Sequence, residues 1–199
     1  MDLLQRQIDK RFIEVNNKTD EALLEGYGTA AKKDFKGITR SITTHTEDMN
    51  GAPITEGVID DMLEAIHNDG GNPDCIVCSY GVAKQLKAIV APYRRYNDKI
   101  DIGLGHRVTS YESMFGTDIP ILVDGNFDVT NGDTLAIVDS STIEVRRLMP
   151  PTLIQDLPVN KLAYKNVIAA FLTCQNIGEF HNGLITEIGT EEPETEGNG

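Results

Sequence analysis

Cys75 and Cys78 stand three residues apart in Cys75-Ile76-Val77-Cys78, a spacing shared by zinc-binding and thiol-redox pairs. Zinc would want a second pair of ligands, and neither Cys174 nor His181 supplies one at a usual spacing. Redox pairs sit at a helix N-terminus, where the dipole lowers the thiol pKa, whereas these cysteines precede the helix that follows them. On a strand, residues three apart also point to opposite faces. The three cysteines, an odd number set in apolar runs, therefore read as buried packing groups of a reducing compartment. The four histidines, His45, His67, His106 and His181, form no HExxH or paired arrangement that would support a catalytic metal. No GxSxG elbow occurs, and Ser79 reads as a helix cap. Gly103-Leu104-Gly105 lacks the third glycine of a dinucleotide loop, and Gly26-Tyr27-Gly28 has no phosphate-loop lysine. The sequence calls for no cofactor.

Two basic clusters remain. Tyr93, Arg94, Arg95 and Tyr96 follow Pro92, and Arg146 and Arg147 precede Leu148-Met149-Pro150-Pro151. Either cluster could stack on single-stranded bases, pair with carboxylates of a neighbouring protein, or be a solvated loop. The chain carries 31 acidic against 18 basic residues, a net charge of -13, which opposes binding to nucleic acid phosphates and favours a protein contact. These six residues are the candidate subunit-interface groups.

The elements that would position them follow from hydrophobic spacing. With 40% apolar residues in 199, the chain can bury a core without a metal or disulfide staple. Leu4, Ile8, Phe12, Val15 and Ala22 recur near 3.6 residues, which predicts a helix over 2–25 about 36 Å long, closed by Gly26 and Gly28. Its apolar stripe is narrow, so it must lie across a sheet or against another chain. Residues 29–53 read as a mixed link anchored by Phe35, Ile38 and Ile42. Thr55 is placed to cap a helix with Val58, Ile59, Met62, Leu63 and Ile66 inward, stopped by Gly70-Gly71. A strand at Ile76-Val77 and a helix over 81–90 complete an αβα passage. Strands are predicted at 108–111, 119–123, 134–138, 142–148, a long run 162–176, and 183–188. Residues 191–199 are acidic without a large apolar side chain and read as a mobile tail. No signal peptide or run of about 20 apolar residues is present, so the protein is expected to be cytoplasmic, with no membrane partner.

The order of these features resembles the HK97-fold major capsid proteins of tailed bacteriophages. The helix over 2–25 is similar to their spine helix, and Leu24-Glu25-Gly26-Tyr27-Gly28 to its glycine-rich end. Residues 54–90, with Gly70-Gly71-Asn72-Pro73-Asp74, resemble the opening of the axial domain; residues 111–123 resemble a turn and strand of that domain, and residues 166–188 the terminal pair of strands that crosses the peripheral domain and re-enters the axial sheet. The resemblance implies an α+β chain. Its peripheral domain would take residues 1–50 and 140–178, its axial domain 51–139 and a return strand at 179–190. It implies a structural, non-enzymatic subunit whose partners are copies of itself in hexamers and pentamers, with portal, scaffold or decoration proteins besides. Such a subunit belongs to the virion and is assembled in the host cytoplasm.

Family members carry an N-terminal arm and an extended loop ahead of the spine helix, where this sequence begins at the helix, so weak association at micromolar concentration is expected. No crosslinking residue is carried over. Three alternatives are an encapsulin-like nanocompartment shell, a small enzyme using Cys75 and Cys78, and a binding module using Tyr93 to Tyr96. If Phe12 is packed in a core, Phe12→Ala should cost roughly 3 to 5 kcal/mol.

Overall fold

The structure, a computed structural model, describes residues 3–29, 34–90, 110–155 and 166–189. The chain divides into two compact units, one of residues 1–41 and 143–177, the other of residues 42–142 and 178–199.

The first unit is built on α1 (Leu3–Glu25), which packs on a two-stranded antiparallel ribbon of β6 (Ile143–Ile154) and β7 (Val167–Asn176). Helix ends leave orphan carbonyls, and here a short helix, α2 (Ile38–Ser41), supplies their partners. Thr39 Oγ1 donates to the Leu24 carbonyl at 2.8 Å and Arg40 Nε to that of Glu25 at 3.2 Å. The turn between them needs glycine at both crossing points. A Cβ on Gly26 would lie 2.2 Å from the Phe35 carbonyl, and one on Gly37 2.4 Å from the Gly26 nitrogen.

In the second unit a six-stranded mixed sheet runs in the order β1-β8-β5-β2-β4-β3. Its strands are β1 (His45–Asp48), β2 (Cys75–Cys78), β3 (Ser110–Glu112), β4 (Asp118–Val123), β5 (Asp133–Val138) and β8 (Gly183–Ile188). β5 lies between β8 and β2, antiparallel to both, and Thr134 through Val138 are all buried. Ile76, Cys78, Ile121, Leu135, Ile137 and Ile185 share one face by register, and on that face pack α3 (Glu56–Asn68) and α4 (Tyr80–Val90). From α3 come Ile59, Met62, Leu63 and Ile66, with Val58 partly buried; from α4 come Val82 and Leu86, with Ile89 partly buried. Those of α3 are the predicted face. α3 ends in a Schellman turn: Gly70 takes φ +84°, its N–H bonds to His67, and the Gly71 N–H reaches the Ile66 carbonyl at 3.0 Å.

The chain passes between the units three times, and residues 178–182 of the second unit gather the flanking segments. The Asn182 side chain, 0% exposed, accepts from the Asp139 N–H at 2.8 Å. Its amide group donates to Thr142 Oγ1 and to the Gly178 carbonyl, each at 2.9 Å. The Glu179 carboxylate accepts the N–H groups of Thr43 and Thr44 and, at 2.5 Å, the Thr44 hydroxyl. One short segment thus fixes the chain beside every passage.

Four expectations are corrected. Thr55 occupies the position before α3 with extended backbone but makes no side-chain cap bond. Ser79 does not cap α4 with its hydroxyl, which donates to Asp133 Oδ1 at 2.7 Å; its carbonyl takes the Ala83 N–H, and α4 starts at Tyr80. The strand expected to end at Leu148 runs on to Ile154 through Pro150 and Pro151, because each strand of a two-stranded ribbon is an edge and tolerates a missing donor at a bulge. Within residues 29–53, read as a link, His45–Asp48 forms β1, parallel to β8, so this stretch belongs with the second unit. The tail 191–199, and residues 162–165 of the expected long strand, lie outside the described residues; the strand itself starts at Val167.

Phe12 is half-buried, as are Ile8 and Val15, while Ile13 on the same helix is 60% exposed. Phe12→Ala is therefore expected to cost about 1 to 2 kcal/mol, below the figure for a fully packed phenylalanine, as measured by chemical denaturation. A loss above about 3 kcal/mol would mean that α1 is packed far more tightly.

Glu179 offers a second test. The Thr44 hydroxyl first, then the N–H groups of Thr43 and Thr44, hold its pKa down to about 2 from an ordinary 4.5. A depressed carboxylate pKa contributes stability that is present above 4.5 and lost as pH falls toward 2. After screening at this partly exposed site the contribution is about 1 kcal/mol. Glu179→Gln should lose it at pH 7 and flatten the stability profile between pH 4.5 and 2; an unchanged profile would contradict the clamp.

Candidate subunit-interface site

Strand pairing sets which side chains of the β6–β7 ribbon share a face. Along β7 the even residues from Ile168 to Asn176 are the more buried set, and the odd residues Val167, Phe171, Thr173 and Gln175 are exposed. The cross-strand partners of that open face are Ile154 opposite Val167, Met149 opposite Phe171 and Arg146 opposite Thr173. The ribbon thus carries Ile154, Val167, Met149 and Phe171 on the side away from its buried residues, with Phe171 57% exposed. Leu148 falls where the register shifts between Arg147 and Met149, and at 89% exposure it has almost no cover. A bulge re-aims a side chain in this way.

Arg146 and Arg147 are both exposed on this ribbon, beside Leu148. Arg146 pairs with Glu144 of its own strand at 3.0 Å, an exposed contact that orients the guanidinium more than it stabilises the fold. Tyr93, Arg94, Arg95 and Tyr96 lie outside the described residues. The apolar ribbon residues Leu148 and Phe171 were not singled out in the sequence. Exposure is their only signal, because leucine and phenylalanine within a strand read as core.

Among the described residues each unit has a groove. A groove of about 720 Å³ in the first unit runs between α1 and the open end of the ribbon, with Lys10, Arg11 and Lys18 at its rim. In the second unit a groove of about 560 Å³ lies among α3, α4 and the β3–β4 hairpin. Its floor includes Leu86, Ile89 and Ile121, and Glu56, Asp60 and Glu112 stand around it. Tyr111 Oη donates to Asp60 Oδ1 at 2.7 Å, and burial first, then that bond, push the phenol pKa well up.

The cysteines fall on opposite faces of β2 as expected, Cys78 buried among the core and Cys75 half-buried. Burial first, and the charge of Asp133 second, raise the Cys78 pKa to about 12; burial raises those of Cys75 and Cys174. Such thiols carry almost no thiolate at neutral pH. The histidines are scattered: His67 stacks on Phe115 at 4.3 Å and His181 sits 3.9 Å from Asp139, while His106 is outside the described residues. Among the described residues no group of three or more His, Cys, Asp or Glu could hold a metal, and no helix is long and apolar enough to cross a membrane.

Replacing Cys75 and Cys78 together by alanine should cost about 1 to 3 kcal/mol of packing stability. Native thiols should label slowly with a maleimide, since only thiolate reacts. Fast labelling, or stoichiometric zinc in the purified protein, would contradict the packing role.

No curated protein matches the chain. Among solved structures it is similar to the holo-SrpI encapsulin complex from Synechococcus elongatus, with a TM-score of 0.65 at 12% identity over 98% of this chain and 69% of that one. A chain from Gordonia phage Cozz gives 0.58 at 12% identity, over 86% of this chain and 59% of that one. One from Mycobacterium phage Adephagia gives 0.55 at 15%, over 92% and 56%. The chain thus spans less than two thirds of either phage chain. At these identities the likeness is one of fold, and the fold is the expected HK97-like α+β arrangement. The family model described as SU10 major capsid protein matches residues 1–189, nearly the whole length, so the chain belongs to that family of viral capsid structural subunits.

Proposed function

We propose that the chain forms the wall of a phage shell, tiling into hexamers and pentamers around a genome, with work that is geometric and involves no catalysis. The observation that carries this reading is the open apolar face of the ribbon in a chain of the capsid family. A two-stranded ribbon is marginal alone, and a face bearing Met149, Phe171, Ile154 and Val167, with Leu148 exposed at the bulge beside it, gains most from a second copy laid over it. A charge of -13 suits a container wall, since a wall that gripped DNA would hinder its packaging and release. Assembly takes place in the host cytoplasm, and the portal, scaffold or decoration proteins dock on the assembling shell. Arg146, opposite Thr173 on the open face, and Arg147, exposed next to it on β6, set the register of the contact by charge.

A nanocompartment shell enclosing protein is the second reading, favoured by the likeness to the encapsulin chain. The family match favours the viral one. A thiol enzyme is disfavoured by the raised thiol pKa values.

Sedimentation velocity on the purified protein tests the shell reading. The wild-type chain, weakly associated at micromolar concentration, should form rings or larger shells only well above it, and Leu148→Glu should keep the same circular dichroism while weakening that assembly at least about tenfold, through burial of an unpaired charge. A Leu148→Glu protein that assembles like wild type would remove the ribbon from the interface. A small discrete oligomer in both cases would favour a binding module.

A further inference from the structure

We propose that the groove among α3, α4 and the β3–β4 hairpin receives segment 92–96, Pro-Tyr-Arg-Arg-Tyr, of a second copy of this chain. The inference rests on the shell-subunit reading and names the contact around a ring axis. The groove has an apolar floor at Leu86, Ile89 and Ile121 and carboxylates at Glu56, Asp60 and Glu112. Its chemistry asks for an occupant with flat apolar groups and cations. In a chain of net charge -13, Tyr93, Arg94, Arg95 and Tyr96 are the basic and aromatic cluster of that kind. Aromatic rings fill an apolar floor at low entropic cost, and guanidinium groups pair with carboxylates through two parallel bonds. The Tyr111 hydroxyl already holds Asp60 in place, so part of the rim is pre-oriented.

Ring symmetry supplies the reason for a second copy. A closed ring needs two different, complementary patches on each subunit, one for each neighbour. Ile89, in the last turn of α4, and Ser110, the first residue of β3, both line the groove. Copies that are otherwise strongly acidic repel, and an attraction of opposite charges at one place fixes their register.

The test is a charge exchange, read by sedimentation on full chains. Arg94→Glu with Arg95→Glu makes a donor variant, and Glu56→Lys with Glu112→Lys makes an acceptor variant; Asp60 is left alone because it holds Tyr111. Each variant alone should assemble at least about tenfold more weakly than wild type, because like charges then meet. An equal mixture of the two should regain even-numbered rings, since every contact between them is again of opposite sign. One chain carrying all four changes should also assemble.

If the mixture stays dispersed while the four-change chain assembles, the segment serves its own groove and the proposal is overturned. If both variants assemble like wild type, the groove is not an interface while the shell reading stands. If wild type itself never assembles, the shell reading falls and this inference with it.

Discussion

The segment 178–182 ties together the parts of the second unit that lie beside its junctions with the first. A buried amide that loses one partner leaves a group costing about 1 to 3 kcal/mol unsatisfied, and Asn182 satisfies the Asp139 N–H, the Thr142 hydroxyl and the Gly178 carbonyl together. Three residues earlier, Glu179 holds Thr43 and Thr44. β8 leaves this knot into the sheet between β1 and β5. The passages of the chain between the units are therefore set by a handful of hydrogen bonds, and the sheet that packs α3 and α4 starts from them.

Each unit packs its helices on one face of its strands. The helices cover one face of the sheet in the second unit, and α1 covers one face of the ribbon in the first. What stays open is apolar on the ribbon and acid-rimmed in the groove of the second unit. For a lone soluble protein these would be liabilities. For the shell subunit proposed above they would serve as contacts between copies, apolar area giving strength and charge giving register.

Much of this was legible in the sequence because it depends on period. α1, α3, α4 and their inward residues follow 3.6-residue spacing, and β4, β5 and β8 follow runs bounded by turn residues. The fold class came from the order of those elements. What escaped was whatever tertiary contact decides. β1, His-Thr-Glu-Asp, is polar and becomes a strand only because β8 offers a parallel edge. Ser79 looked like a cap because serine before a helix usually is one, yet Asp133 lies 2.7 Å from its hydroxyl. β6 runs through two prolines that a central strand would refuse. Of the expected interface residues, Arg146 and Arg147 are exposed on the ribbon, whereas Leu148 and Phe171 beside them could be told from core residues only once burial was known.

The most direct test of the account is a cryo-electron microscopy map of the assembled protein. The account predicts a closed shell of icosahedral symmetry in which the open face of β6 and β7, with Leu148 and Phe171, is covered by a neighbouring copy. A map of a small discrete oligomer with that face open to solvent would contradict it.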